Sequence, residues 1–282
     1  MRSLTPLEPI DYLVIGHITK DLTSQGPRLG GTATYASLTA SALGLRVGIV
    51  TSWAHDVPVD PLDGIQVANF DSDVTTTFEN INTPVGRIQV VHQIAPRLEY
   101  YMIPDSWRSV PIVHLGPVAQ EVDPGIVRYF GNSLIGLTPQ GWLRAWDEAG
   151  HVYHTEWPEA SFLLGQAGAA VLSLEDVDGS EQRIEEMATA ARVLVVTEAG
   201  HGARSYWAGD VRSFSAPDVL EVDPTGAGDI FAAAFFTRLH TTRDPWEAAR
   251  FATQLASYSV TRPGLEGIPT QDEIQESMVE VF

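Results

Sequence analysis

The chain has no cysteine, which excludes disulfides, thiolate nucleophiles and zinc–thiolate sites. Lysine is almost missing too: of 17 basic residues, only Lys20 is a lysine. No G-x-x-x-x-G-K-[ST] phosphate loop is spelled. Neither D-F-G nor H-R-D occurs, so the protein-kinase signatures are also missing. Eight histidines are present, none at a metal-binding spacing such as H-E-x-x-H. No apolar run reaches the length of a membrane span. The opening MRSLTPLEPIDYLVIG holds no apolar stretch of signal-peptide length before the first expected strand. Positive charge is scarce, and the net charge of −19 argues against non-specific nucleic-acid binding and against an anionic membrane surface. The expectation is a soluble, cytoplasmic protein with neither nucleic acid nor membrane as partner.

What remains is ample for one α/β domain: 282 residues, 44% of them hydrophobic. DYLVI at 11–15 ends in Gly16 and reads as a buried strand. TATYASLTASAL at 32–43 is helical and stops at Gly44. RVGIVT at 46–51 is the next strand, so the chain opens as a βαβ unit with a parallel sheet. Residues 53–110 break the pattern. DVTTTFENIN and GRIQVVHQI are β-rich and flank a turn at Thr83-Pro84-Val85-Gly86, a hairpin leaving the main sheet. Strands are expected again at 111–115, 134–138, 169–173 and 193–197. Helices are expected near 123–131, 180–191, 228–239, 245–261 and 271–281. Short β excursions are expected around Trp146–Trp157 and Tyr206–Phe214.

The most informative stretch is Asp223-Pro224-Thr225-Gly226-Ala227-Gly228-Asp229, placed between a strand-like VLEV and the apolar IFAAAFFTRL. Its glycines permit unusual dihedrals and close backbone approach. A loop opening directly into a helix presents free N–H groups and the positive dipole end to an anion. Asp229 in the first turn would lie beside a bound phosphate, where a carboxylate can take the proton of an attacking hydroxyl. The competing reading makes Asp229 a helix cap and the glycines a mere turn.

This heptapeptide, followed by a Phe- and Ala-rich helix, resembles the second signature of the PfkB, or ribokinase-like, carbohydrate kinases, and the resemblance extends over nearly the whole chain. Gly16-His17-Ile18-Thr19-Lys20-Asp21 resembles the family's first strand end, where an Asp binds substrate hydroxyls. Gly30-Gly31 resembles the double glycine that opens the first helix. Thr197 to Gly202 resembles the T-x-G-x-x-G strand end near the nucleotide, and 251–264, with Thr253, the helix and loop covering adenine. The resemblance implies a three-layer α/β fold with a mostly parallel central sheet and a small β lid near 20–30 and 74–94, all within one domain spanning 1–282. It implies Asp229 as base, with Gly226, Ala227 and Gly228 completing an anion hole. Asp21, Gly30, Gly31, Tyr35 and Arg87 would meet the acceptor. Thr197, Gly202, Thr225, Thr253, Gln140 and Arg144 would meet ATP, although Arg87 and Arg144 read equally as solvated charges. Asp176 would hold Mg2+ through water, and Asp223 would lie near a monovalent cation such as K+.

Four positions depart from the family pattern. Tyr35 stands where an Asn normally reaches the substrate. Ser173-Leu174-Glu175-Asp176 replaces N-x-x-E, Thr138-Pro139-Gln140 replaces D-x-N, and Ala199 replaces the first glycine of T-x-G-x-x-G. The Ser-x-x-acid and Gln-Gly-x-x-Arg variants are similar to the inositol kinase branch. The expected activity is phosphorylation of a hydroxyl on a small polyol or sugar by a monomer, or by a homodimer formed through the lid. A nucleoside kinase and a catalytically silent nucleotide or polyol binder are the alternatives.

Overall fold

The computed structural model describes residues 7–83 and 86–279. Strand β1 (Tyr12–Ile15) starts the sheet. The chain then leaves it for β2 (Thr19–Thr23) and β3 (Gly26–Gly30) before helix α1 (Thr32–Ala42). β4 (Val47–Trp53) and β5 (Gln66–Asp71) return to the sheet, β6 (Thr77–Thr83) and β7 (Gly86–Gln93) leave it, and β8 (Ile112–Leu115) and β9 (Leu134–Leu137) rejoin it. A short hairpin, β10 (Arg144–Trp146) with β11 (Val152–His154), precedes α2 (Ala160–Gln166), β12 (Ala169–Ser173), α3 (Glu181–Ala190) and β13 (Val193–Thr197). The chain closes with β14 (Ala203–Trp207), β15 (Asp210–Phe214), α4 (Ala227–Thr242), α5 (Pro245–Ser259) and α6 (Gln271–Met278).

The nine-stranded sheet runs β15-β14-β13-β12-β9-β8-β1-β4-β5. Its pairs are parallel from β5 through β13, and β14 and β15 add an antiparallel edge. Buried strands alternate their side chains between two cores. Tyr12 and Val14 pack with the residues of α1, α4 and α5, while Leu13 and Ile15 pack on the opposite face with α2 and α3. In α4 every residue from Ile230 to Phe236 is buried, as expected for a helix enclosed on all sides. A second sheet of four strands, β3-β2-β6-β7, stands beside the first. Its outer pairs are antiparallel and β2–β6 is parallel.

Several expectations need correction. VLEV (219–222) is not a strand: it is loop, with Leu220 82% and Val222 56% exposed. It cannot pair beside β13, which is already flanked by β12 and β14. The helix expected near 123–131 is a 3-10 stretch, Pro124–Tyr129, inside a segment with glycines at both ends. Tyr206–Phe214 is no excursion: it belongs to the β14–β15 edge of the main sheet. β5 and α2 had no counterpart in the sequence reading.

Candidate active site

One cleft of about 460 Å³ collects most of the residues singled out from the sequence. Asp21, Gly31 and Tyr35, Asp229 with 225–228, and Thr197, Gly202 and Thr253 all line it. Gln140, Arg144 and Asp176 line it as well. The side chain of Arg87 lies outside the described residues, so that expectation has no structural counterpart here.

The 223–229 loop is stapled at its base. One carboxylate oxygen of Asp223 accepts from the Thr225 amide (3.0 Å) and the other from the Gly264 amide (2.9 Å). Val222 and Asp223 both donate to the Val260 carbonyl. Gly226 then takes φ 80° as the residue before α4, a left-handed conformation that favours glycine. The expected set of four amides shrinks by one, because Ala227 N–H donates back to the Pro224 carbonyl (3.2 Å). The amides of Gly226, Gly228 and Asp229 have no such acceptor among the described residues. They remain open to an anion, at the end of the helix where its dipole is positive.

Asp229 is not a cap, since α4 has no side-chain cap. The Thr32 side chain instead lies near its carboxylate and favours the ionised form. Part of Asp229 faces the cleft, yet its carboxyl is surrounded closely enough that desolvation pushes its pKa up to about 6. Thr32 and Arg144 oppose that rise, and Asp176 and Asp21 add to it. Sequence reasoning missed Thr32, because a threonine opening a helix reads as a local cap. Its methyl fits against Gly116, where an added Cβ would stand 2.5 Å away.

Asp21 accepts from the Thr19 hydroxyl (2.9 Å) and lies on Gly30. A Cβ at Gly30 would stand 2.1 Å from the Asp21 carboxylate, so only glycine fits there. Phe78, Asn80 and Gln89 line the cleft from β6 and β7. Gln89 donates to Asn80 (3.0 Å). These three were also missed, since which face of a strand meets a cleft depends on register.

Asp176 is buried and accepts from the Ser173 amide (2.8 Å) and from Gln140 (3.2 Å). Desolvation outweighs these bonds and raises its pKa. Arg144 approaches the Phe78 ring (5.9 Å to the centroid) and acts on both Asp176 and Asp229. Thr253 gives its hydroxyl proton to its own helix at Ala249 (2.8 Å), so it shapes the slot by size. Ala199 adopts φ 49°, the left-handed geometry that a glycine takes without cost. Among the described residues, no group of three or more His, Asp or Glu is placed to hold a metal on its own. No helix of the described chain is long and apolar enough to cross a membrane.

Comparison with known proteins agrees with this fold. Residues 142–271 match the pfkB family carbohydrate kinase profile. The inositol 3-kinase of Oryza sativa subsp. japonica is 26% identical over 294 residues, covering 94% of this chain and 71% of that protein. The cytidine kinase of Thermococcus kodakarensis is 26% identical over 278 residues, covering 88% and 95%. A pyrophosphate-dependent kinase of the ribokinase family, solved with a pyrophosphate analog and myo-inositol, superimposes with TM-score 0.77 at 20% identity, covering 95% of this chain and 100% of that one. The chain has the ribokinase-like fold, and its residues 142–271 are similar to the pfkB family of carbohydrate kinases.

Proposed function

We propose that the protein transfers the γ-phosphoryl group of ATP to a hydroxyl of a small polyol or sugar. The observation carrying this reading is Asp229: a desolvated carboxylate, near Thr32, in the first turn of α4 beside open amides and in the same cleft as Asp21. Asp21 binds acceptor hydroxyls. Asp229 takes the proton of the attacking hydroxyl as its oxygen bonds to the γ-phosphorus. The bond to the β-phosphate oxygen breaks, and ADP leaves. The open amides stabilise charge on the transferred group. The small sheet acts as a lid that excludes water and so suppresses ATP hydrolysis.

Mg2+ fits the donor set. It keeps several of its waters and uses one or two carboxylates together with substrate phosphates; Asp176 and Gln140 sit where such waters would be held. When bound, the ion neutralises phosphate charge. Asp223 shapes its loop and offers no free carboxylate oxygen, so K+ near it would rest on loop carbonyls. Activity in K+ against Na+ salts tests that. Ile81 and Ile88 face each other across the β6–β7 pair, each 40% exposed. They form a lid surface for a second copy, which sedimentation at varied concentration tests. A cytoplasmic location is part of this reading, supported by the choice of ATP as donor.

The inositol 3-kinase relative and the myo-inositol-bound neighbour favour a cyclitol acceptor, and the cytidine kinase relative keeps nucleosides in the panel. Pyrophosphate as donor is the second reading, favoured by the same neighbour. ATP is preferred because the cleft continues past the amides. It runs between 216–221 and Thr253, Ala256, Ser257 and Val260, a slot that pyrophosphate would leave empty. The test is phosphoryl transfer over sugars, inositols and nucleosides with either donor. Binding of ATP without turnover on any acceptor would favour a silent binder instead.

A further inference from the structure

Tyr35 stands where family resemblance implies an amide that touches the acceptor, yet its ring is engaged elsewhere. A Cβ built on Gly226 would lie 2.2 to 2.5 Å from Cδ1, Cε1 and Cγ of Tyr35, so the ring rests directly on the Gly226 backbone. The phenol oxygen lies 3.9 Å from the corresponding point on Gly264. Asp223 draws Thr225, the neighbour of Gly226, towards Gly264, through its bonds to the Thr225 and Gly264 amides. The ring therefore spans the loop from one side while Asp223 closes it from the other. Tyr35 is only 4% exposed. Its hydroxyl has no hydrogen-bond partner among the described residues, so packing and not hydrogen bonding fixes it. The carboxylates of Asp21, Asp229 and Asp223 surround it and, with burial, keep the phenol protonated. An asparagine at this position is too short to reach both glycines.

We infer that Tyr35 is a positioning residue of the anion hole: its ring props the 223–228 loop in the form that presents the Gly226, Gly228 and Asp229 amides, and it is not an acceptor ligand. Helix α1 thereby supports the site twice, with Thr32 near the Asp229 carboxylate and Tyr35 under the loop. The link between α1 and the loop rests on packing alone; its catalytic meaning rests on the kinase reading proposed above.

The test is amide hydrogen exchange on the full-length protein without ligand, following the hydrogen-bonded amides of the 222–227 segment (Val222, Asp223, Thr225 and Ala227) with α5 as internal control. Tyr35→Phe keeps the ring and is expected to keep wild-type protection. Tyr35→Ala and Tyr35→Asn are expected to speed exchange in that segment by at least ~10-fold while α5 stays protected. In turnover with the acceptor found by the screen, both should lower kcat about 10²-fold, as a misplacement of roughly 1 Å does, with acceptor KM little changed. Unchanged exchange in Tyr35→Ala overturns the inference. So does an effect confined to acceptor KM that Tyr35→Asn restores, which would make Tyr35 an acceptor ligand. If Tyr35→Ala unfolds, Tyr35→Leu keeps core volume without the reach to Gly264. Faster local exchange in that variant supports the inference, and wild-type protection overturns it. A wild type that transfers phosphate to no acceptor would remove the kinase reading while leaving the exchange result to judge Tyr35.

Discussion

Replacing Gly228 by alanine should move stability and activity in opposite directions. Gly228 is the second residue of α4, has no positive φ, and lines the cleft. A Cβ there would meet no atom within 4 Å, so nothing in the fold resists it. Alanine is better than glycine in a helix interior by about 0.8–1.0 kcal/mol. In a first turn roughly half of that applies, which for a chain of this size raises Tm by about 1–2 °C. The same methyl stands in the open space of the cleft, beside an amide that has no acceptor of its own. Displacing a phosphoryl group by about 1 Å, or losing one oxyanion donor, costs on the order of 10²-fold in kcat. Thermal melting and steady-state phosphoryl transfer on the same preparation make the test. A drop of several degrees would show that the space is not open. Wild-type turnover in a folded Gly228→Ala would show that the transferred group does not pass this amide.

Asp229→Asn should lower kcat by about 10²–10⁴-fold, the usual worth of a general base, and wild-type turnover would remove Asp229 as base. In the wild type, kcat/KM should climb with pH and level off above about 6, where Asp229 is ionised. The stability sign is opposite: a carboxyl raised from 3.8 to about 6 by burial disfavours its ionised form in the fold, so stability falls as pH rises across that window. Asp229→Asn should therefore melt higher than wild type at pH 7.5, and an equal or lower Tm counts against the burial argument. Asp21→Ala should raise acceptor KM roughly tenfold to a hundredfold, since hydrogen bonds to a charged group contribute about 1.5–3 kcal/mol, with ATP affinity near wild type by calorimetry. Ala199→Gly relieves a left-handed alanine, worth about 1–2 kcal/mol, against about 0.4–1 kcal/mol of added unfolded-chain entropy. A Tm rise of about 1–2 °C is expected, and a fall would mean the strain is not there.

The parts of this protein that were legible in its sequence are those whose chemistry is local along the chain. The 223–229 loop declares itself because glycine placement, helix onset and carboxylate lie within seven consecutive residues. The central strands declare themselves through short apolar runs, and the double glycine through its place before a helix. Features that depend on two distant segments meeting did not show. Thr32 becomes a neighbour of Asp229 only when α1 and α4 are packed together. Asn80 and Gln89 face the cleft only by the register of β6 on β7. VLEV has strand composition, but it is exposed loop that pairs with no strand, so tertiary context overrides propensity. Tyr35 was assigned to the acceptor by its place after the double glycine, and only the fold shows its ring on Gly226. Even Ala199, flagged as a departure, adopts the left-handed backbone that a glycine takes without cost.

Charge gives these pieces a common logic. The described residues lining the cleft include six carboxylates (Asp21, Glu175, Asp176, Asp218, Glu221 and Asp229) and one guanidinium, Arg144. With Lys20 paired to Asp56 elsewhere, no lysine is left to meet a polyphosphate. A site of this sign cannot hold a donor by side-chain cations. Under the proposed function it would rely on main-chain amides, which carry partial positive charge without adding to the net charge, and on a divalent ion bound together with the donor. Amides act only at hydrogen-bond range, so their direction must be fixed before the donor arrives. That requirement explains why the loop is clamped by Asp223 on one side and packed by Tyr35 on the other. It also fits the carboxylate proposed as base: burial, with the Asp176 and Asp21 charges, lifts Asp229 to about 6, closer to the working pH at which a base both stays ionised and accepts a proton usefully.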